Sequence, residues 1–231
     1  MAIVDLKREG EVFILTMQSG ENRFNRAFIE AMNRALDTVE KLSGPAALVT
    51  VGGEEKFYSN GLDLAWLMGD GLKERREFIP AVLKFLGRVM AFPVPTIAAI
   101  NGHAFAAGAM LVLAHDFRIM RADRGFFCLP EVDIKIPFAP GMTALIKSRL
   151  FPGTFRDLML TGMRIGGLEA KERGIVDEAV AADQVLPKAI ARAAALANKD
   201  RKVYQAIKRG MYADVLTLLE SGVADLSQMD S

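Results

Sequence analysis

The chain reads as an α/β protein, and three observations predict it. Strands alternate with helices over the first ~135 residues, the pattern of a layered sheet-and-helix domain. The stretch Pro95 to Asp116 joins a short buried strand, through Asn101-Gly102, to a helix that is apolar on every side. Such a helix belongs in a core. The last ~90 residues then turn mostly helical, which sets them apart as an appendage or an assembly surface.

In order, Met1 to Met17 predicts two strands around Gly10, the second being the dense run Val12-Phe13-Ile14-Leu15. Asn25 is a fair N-cap for a helix to Leu42, along which Phe28, Ile29, Met32, Leu36 and Val39 recur at helical spacing. Gly44-Pro45 stops it, and Ala46 to Val51 is a short buried strand. Gly52-Gly53 and Asn60-Gly61 break the chain, and Asp63 caps a short helix at Leu64 to Met68. Lys73 to Phe92 is amphipathic and ends at Pro93 and Pro95. Thr96 to Ile100 is a strand, and a helix runs from about Ala106 to His115. Asp116 to Ala122 is another strand. Short helices are expected at Gly141 to Leu150, Phe155 to Thr161 and Leu168 to Arg173. Ile175 to Val180 is extended, and Asp183 to Asn198 and Lys202 to Leu226 are helices. A strand–strand–helix rhythm shows faintly; no exact repeat does.

Composition narrows the function. The chain has 231 residues, 51% hydrophobic and 25% charged, enough for a large core. With 29 basic and 28 acidic residues the net charge is +1, which argues against nucleic acid or an anionic membrane as the main partner. Cys128 is the single cysteine, so no internal disulfide forms, which suits a reducing compartment. MAIVDLKREG meets charge too early for a secretory signal, and the longest apolar run, Ala104 to Ala114, is too short to span a membrane. The C-terminal Gln228-Met229-Asp230-Ser231 is no peroxisomal address. A cytoplasmic protein is expected. The 2 histidines and 1 cysteine make no recognisable zinc site, and His103 and His115 read as structural.

No dinucleotide-binding, phosphate-loop or Gly-x-Ser-x-Gly motif is present. Two backbone turns and one acid remain. In Ser59-Asn60-Gly61-Leu62-Asp63, the glycine lets the chain bend and turn the next N–H toward a cavity. At Ala106 to Gly108 the buried helix starts with no bulky side chain over its free N–H groups. Two such N–H groups converging would stabilise an oxygen that gains negative charge. Small residues also suit plain tight packing there. The acid is Glu131, bracketed by Leu129, Pro130, Val132 and Ile134. Apolar surroundings raise a carboxyl pKa toward that of a general base or acid, although a salt-bridged carboxylate at a strand end is the ordinary alternative.

These residues resemble the crotonase superfamily, also called the enoyl-CoA hydratase/isomerase family. The resemblance runs over about Ile3 to Val180 and is carried by FYSNGLDL from Phe57, by PTIAAINGHA from Pro95, by Gly108 to Ile119 and by GMRIGGLEAKERGIV from Gly162. It implies a spiral of ββα units in residues 1–180. It also implies a helical C-terminal region, 181–231, for trimerisation and pocket cover, as a homotrimer or dimer of trimers. It further implies an acyl-CoA thioester whose enolate oxygen sits between the backbone N–H groups of Leu62 and Ala107, with no metal or redox cofactor. Hydratases use two glutamates. One position matches Glu131; the other, one turn after Ala107, holds Met110. A single acid suits moving a double bond from C3–C4 to C2–C3, and the surroundings of Glu131 look most like the Δ3,Δ2-enoyl-CoA isomerases. Arg23, Asn25, Lys56, Ser59, Asn60, Gly61 and Met110 are the candidate substrate and CoA contacts. The rivals are a hydratase or other crotonase-fold acyl-CoA enzyme, and a non-catalytic acyl-CoA-binding subunit.

Overall fold

A computed structural model describes residues 2–224. Strands β1 (Val4–Glu9) and β2 (Val12–Met17) form the expected hairpin around Gly10, whose φ of +58° suits glycine. Helix α1 (Arg26–Lys41) is capped by the Asn25 side chain, which accepts from Phe28 N at 3.0 Å. Then come β3 (Ala47–Gly52), β4 (Phe57–Ser59), α2 (Leu64–Met68, capped by Asp63) and α3 (Arg75–Met90). The central stretch contributes β5 (Thr96–Ile100), β6 (His103–Phe105) and α4 (Ala107–Ala114). It is followed by β7 (Phe117–Arg121), β8 (Phe127–Cys128), a 3₁₀ turn at Pro130–Val132, α5 (Pro140–Arg149), α6 (Pro152–Thr161), β9 (Arg164–Ile165), α7 (Gly167–Glu172), β10 (Glu178–Val180) and α8 (Val185–Leu196).

The strands sort into two sheets. A six-stranded sheet runs β1-β2-β3-β5-β7-β10, and a four-stranded sheet runs β4-β6-β8-β9. Among the described residues only β1–β2 and β8–β9 pair antiparallel. Each of β3, β5 and β7 lies in the large sheet and hands the chain, over a few residues, to β4, β6 or β8 in the small one. The faint strand–strand–helix rhythm is therefore the architecture itself, a crotonase-type spiral. The short strands β4, β6 and β8 have only 3, 3 and 2 residues, too few to show a period of two in the sequence.

The large sheet is covered on both faces. On one, Val185, Ala189, Ala193 and Ala197 of α8 and its C-terminus pack on Val49, Ile97 and Ile119. On the other lies the main core, where every residue of α4 is buried. One polar chain crosses it. His115 Nδ1–H donates to Leu111 O at 2.7 Å, so Nε2 accepts from Thr50 Oγ1 at 2.9 Å, and Tyr58 OH donates to Thr50 Oγ1 at 2.7 Å. Burial lowers the His115 pKa to about 4, and the ring stays neutral and structural, as expected.

The C-terminal helix departs from expectation. Instead of one helix from Lys202, there are two, α9 (Arg201–Met211) and α10 (Ala213–Ser221), and Leu226 lies outside the described residues. The break falls at Tyr212 (φ −119°), whose hydroxyl accepts from Arg149 Nη1. Gly210, two residues earlier, is a local signal of a break, but it lies inside α9 itself and the helical pattern runs through it. Lys208 of α9 is buried and bonds Asp116 at 2.8 Å, tying this region to the start of β7.

Candidate active site

One apolar cleft has a cavity of about 190 Å³. It is lined by the Leu62 turn, the start of α4, the Pro130–Glu131 turn and an apolar wall that includes Ile79, Ile136 and Met142. Arg23 and Glu131 are the ionisable residues among those lining it.

The Leu62 turn is built by a staple. The loop Ser19 to Asn25 lies along Tyr58 to Asp63 and engages its polar groups in turn. Asn60 N donates to Glu21 O at 2.9 Å, Gly61 N to Ser59 Oγ at 3.3 Å, and Asp63 N to Phe24 O at 2.9 Å. Phe24 N donates to Gly61 O at 2.7 Å. Asn22 is fully buried at φ +50°; its Nδ2 donates to Tyr58 O at 3.0 Å and its own carbonyl accepts from Ser59 Oγ at 2.8 Å. In this run the Leu62 N–H alone has no acceptor among the described residues.

The α4 start is equally constrained. Ala106 N donates to Cys128 O at 3.0 Å, and Ala106 O accepts the first helical bond, from Met110 N, at 3.0 Å. Ala106 itself has φ +51° and ψ −124°, a strained conformation for a residue with a Cβ. The Ala107 N–H that follows has no acceptor among the described residues. The two turns touch: a methyl group on Gly61 would sit 3.0 Å from Ala107 N and 2.8 Å from Phe105 O. A methyl on Gly108 would sit 2.5 Å from Ser59 O. Both glycines are therefore demanded by close backbone approach. Two free N–H groups on adjoining turns, both lining one cleft, form an arrangement suited to a developing oxyanion.

Glu131 sits in the 3₁₀ turn, which Pro130 starts and which Asp133 N→Pro130 O (2.9 Å) and Ile136 N→Glu131 O (3.0 Å) close. Its side chain is buried, and Oε2 has no hydrogen-bond partner among the described residues. Burial is the main cause that raises its pKa to about 7, offset in part by its own N–H. An unpaired buried carboxylate is costly and is kept where it has a task. Met110, 1% exposed, lines the same cleft, so no second carboxylate stands there.

The other expected contacts divide. Arg23 and Asn60 line the cleft, but both bond Glu21 Oε2, at 2.6 and 3.0 Å. Ser59, Asn25 and Lys56 do not line it. Ser59 is buried and its hydroxyl braces the turn; Asn25 caps α1; Lys56 is exposed, 5.1 Å over the Phe57 ring. These three short polar or basic residues were read from neighbourhood in sequence, and local capping and turn duties claim two of them. Sequence reasoning missed Glu21 and Asn22, although the polar turn cluster Ser19-Gly20-Glu21-Asn22 was a signal. It also missed Ile79 and Met142, which long-range packing brings in.

Comparison with known proteins identifies the family. The family model described as enoyl-CoA hydratase/isomerase matches residues 7–229. Enoyl-CoA delta isomerase 3 of Arabidopsis thaliana is 33% identical over 224 residues, covering 93% of this chain and 94% of that protein. Enoyl-CoA delta isomerase 2, peroxisomal, of the same plant is 32% identical, covering 93% and 94%. Among solved structures, the apo enoyl-CoA isomerase of Mycobacterium tuberculosis superposes with a TM-score of 0.88 at 24% identity, over 96% of each chain, a likeness of fold. The chain belongs to the enoyl-CoA hydratase/isomerase family.

Proposed function

We propose that the protein is a Δ3,Δ2-enoyl-CoA isomerase working with one carboxylate. The observation that carries this reading is the buried Glu131, the one acid lining the cleft and unpaired at Oε2 among the described residues, with Met110 on helix α4 facing the same cleft. The Glu131 carboxylate takes a proton from C2 of a 3-enoyl thioester. The electron pair of that C–H bond flows into the thioester, and its oxygen gains charge between the Leu62 and Ala107 N–H groups. The double bond moves to C2–C3 as the pair from C3–C4 takes the proton back from Glu131 at C4. No water enters the balance, and an apolar wall suits an intermediate that must not be protonated elsewhere. The two plant relatives named as enoyl-CoA delta isomerases support the same choice. Side-by-side assay is the test: 3-hexenoyl-CoA should be isomerised and crotonyl-CoA should not be hydrated at a comparable rate. Faster hydration would replace this reading with a hydratase, and tight CoA-ester binding with no turnover would replace it with a binding subunit.

The pH profile follows from the raised pKa. The base form of Glu131 exists above about pH 7 and is lost as the pH falls through it. The acid limb of kcat/KM for 3-enoyl-CoA should therefore bend near pH 7. A limb near the usual carboxylate range would remove Glu131 as the base.

A further inference from the structure

Behind the Leu62 turn, the fully buried Asn22 has a hydrogen bond on each of its polar groups. Its backbone N–H donates to Ser19 O at 3.1 Å and its Oδ1 accepts from Ser19 N at 3.0 Å, which closes its own loop. Its Nδ2 and its carbonyl engage the facing segment instead, at Tyr58 O and Ser59 Oγ. The side chain thus accepts on one side and donates on the other, which an amide can do and an ionised carboxylate cannot. Its φ of +50° is one that asparagine tolerates better than most residues. Tyr58 is a firm anchor, fully buried and bonded through its hydroxyl to Thr50 Oγ1 at 2.7 Å.

This bracing reaches both halves of the proposed hole. Gly61 O and the Leu62 N–H belong to one planar peptide and point in opposite directions. The bond from Phe24 N to Gly61 O, at 2.7 Å, therefore aims the Leu62 N–H, and Asn22 holds the loop that brings Phe24 there. Ser59 acts on the neighbouring peptide: its hydroxyl donates to Asn22 O and accepts from Gly61 N at 3.3 Å. Ser59 also abuts the α4 start. A methyl on Gly108, the residue after Ala107, would sit 2.7 Å from Ser59 Oγ and 2.8 Å from its Cβ. Both Asn22 and Ser59 are fully buried and neither lines the cleft, so neither is placed to touch substrate. Filling the space under the turn needs only a small side chain. The Ser59 hydroxyl and the Asn22 amide add direction.

We propose that Asn22 and Ser59 are positioning residues that hold the Leu62 and Ala107 N–H groups at the spacing an enolate oxygen needs. This rests on the acyl-CoA reading above, so its test includes a readout apart from turnover. Acetoacetyl-CoA is a β-keto thioester whose enolate absorbs in the near ultraviolet, and two well-placed donors promote its ionisation. On Ser59→Ala and on Asn22→Asp the bound ester should ionise about tenfold less readily than on the natural protein, a smaller loss than the about 10²- to 10³-fold cost of removing a donor outright. The kcat for 3-hexenoyl-CoA should fall by the same factor with KM unchanged. Thr154→Val is the matched control. It loses a buried hydroxyl bond, to Arg173 O at 3.0 Å, at a residue outside the cleft lining. It should melt lower and leave the ionisation as it was. Should Asn22→Asp fail to fold, Ser59→Ala alone decides. Natural ionisation in Ser59→Ala, or a rise in KM in place of the fall in kcat, would overturn the proposal. Weaker ionisation on the variants of a protein that isomerises no 3-enoyl ester would sink the isomerase reading and leave the positioning role standing. Isomerisation with an enolate that neither variant moves would do the reverse, and no bound enolate on the natural protein would overturn both.

Discussion

Glu131→Gln should lower kcat for 3-enoyl-CoA by about a thousandfold, within the usual range for loss of a positioned base. The amide keeps the shape of the side chain and the apolar wall, so CoA-ester affinity should stay near its natural value. A structural carboxylate would behave otherwise: its loss would weaken the fold and leave chemistry on correctly folded molecules intact. Stability separates the two cases. The folded-state pKa of about 7 lies above the ordinary value of 4.5, so between those values the unfolded chain gives up its proton first. Folding therefore weakens as the pH rises through this window, by about 3 kcal/mol when complete, since one unit corresponds to about 1.4 kcal/mol. At pH 8 the glutamine variant is relieved of that cost and should melt no lower than the natural protein. Near-natural turnover in Glu131→Gln would remove the residue from the mechanism.

Gly61→Ala should be the most damaging substitution outside the acid. The position has φ +77°, which disfavours any Cβ, and the added methyl would lie 2.9 Å from Ala106 Cβ and 3.0 Å from Ala107 N. Relief requires the Leu62 turn or the α4 start to move, and each supplies one donor of the proposed hole. Loss of a single such donor costs about 10²- to 10³-fold in kcat. A control separates misplacement from backbone strain: Gly10→Ala carries the same kind of φ, +58°, with nothing within 4 Å. Both variants should melt lower, but only Gly61→Ala should lose kcat. Natural kcat in Gly61→Ala, with the lowered melting temperature, would show that the touching turns do not set the rate.

How much of this was legible beforehand depended on range along the chain. The capped helices α1 and α2 and the buried strands β2, β3 and β5 follow from local periodicity and from Asn25 and Asp63 as caps. The small sheet did not, because its strands are shorter than one readable alternation, and the Tyr212 break did not, because Gly210 lies within α9 itself and the Tyr212 contact with Arg149 spans 63 positions. Within the site, Gly61 and Glu131 were visible as a glycine before a free N–H and an acid among apolar neighbours. The buried Asn22 was not, since its role depends on Tyr58 and Ser59, more than 30 positions away. Resemblance to a known family supplied the positions Leu62 and Ala107, which no side-chain chemistry would single out.

The proposed oxyanion donors belong to the backbone, and this inverts what a substitution scan would record. Leu62→Ala and Ala107→Ser each leave the N–H in place, so the residues at the centre of the chemistry would look tolerant. Gly61 and Gly108 are not the proposed donors, yet a single methyl on either collides with the facing turn. A map of intolerance would thus outline the hole by its glycine hinges and leave its working atoms blank. The same separation lets the side chains at 62 and 107 reshape the cleft for new substrates while the charge-stabilising centre is inherited untouched.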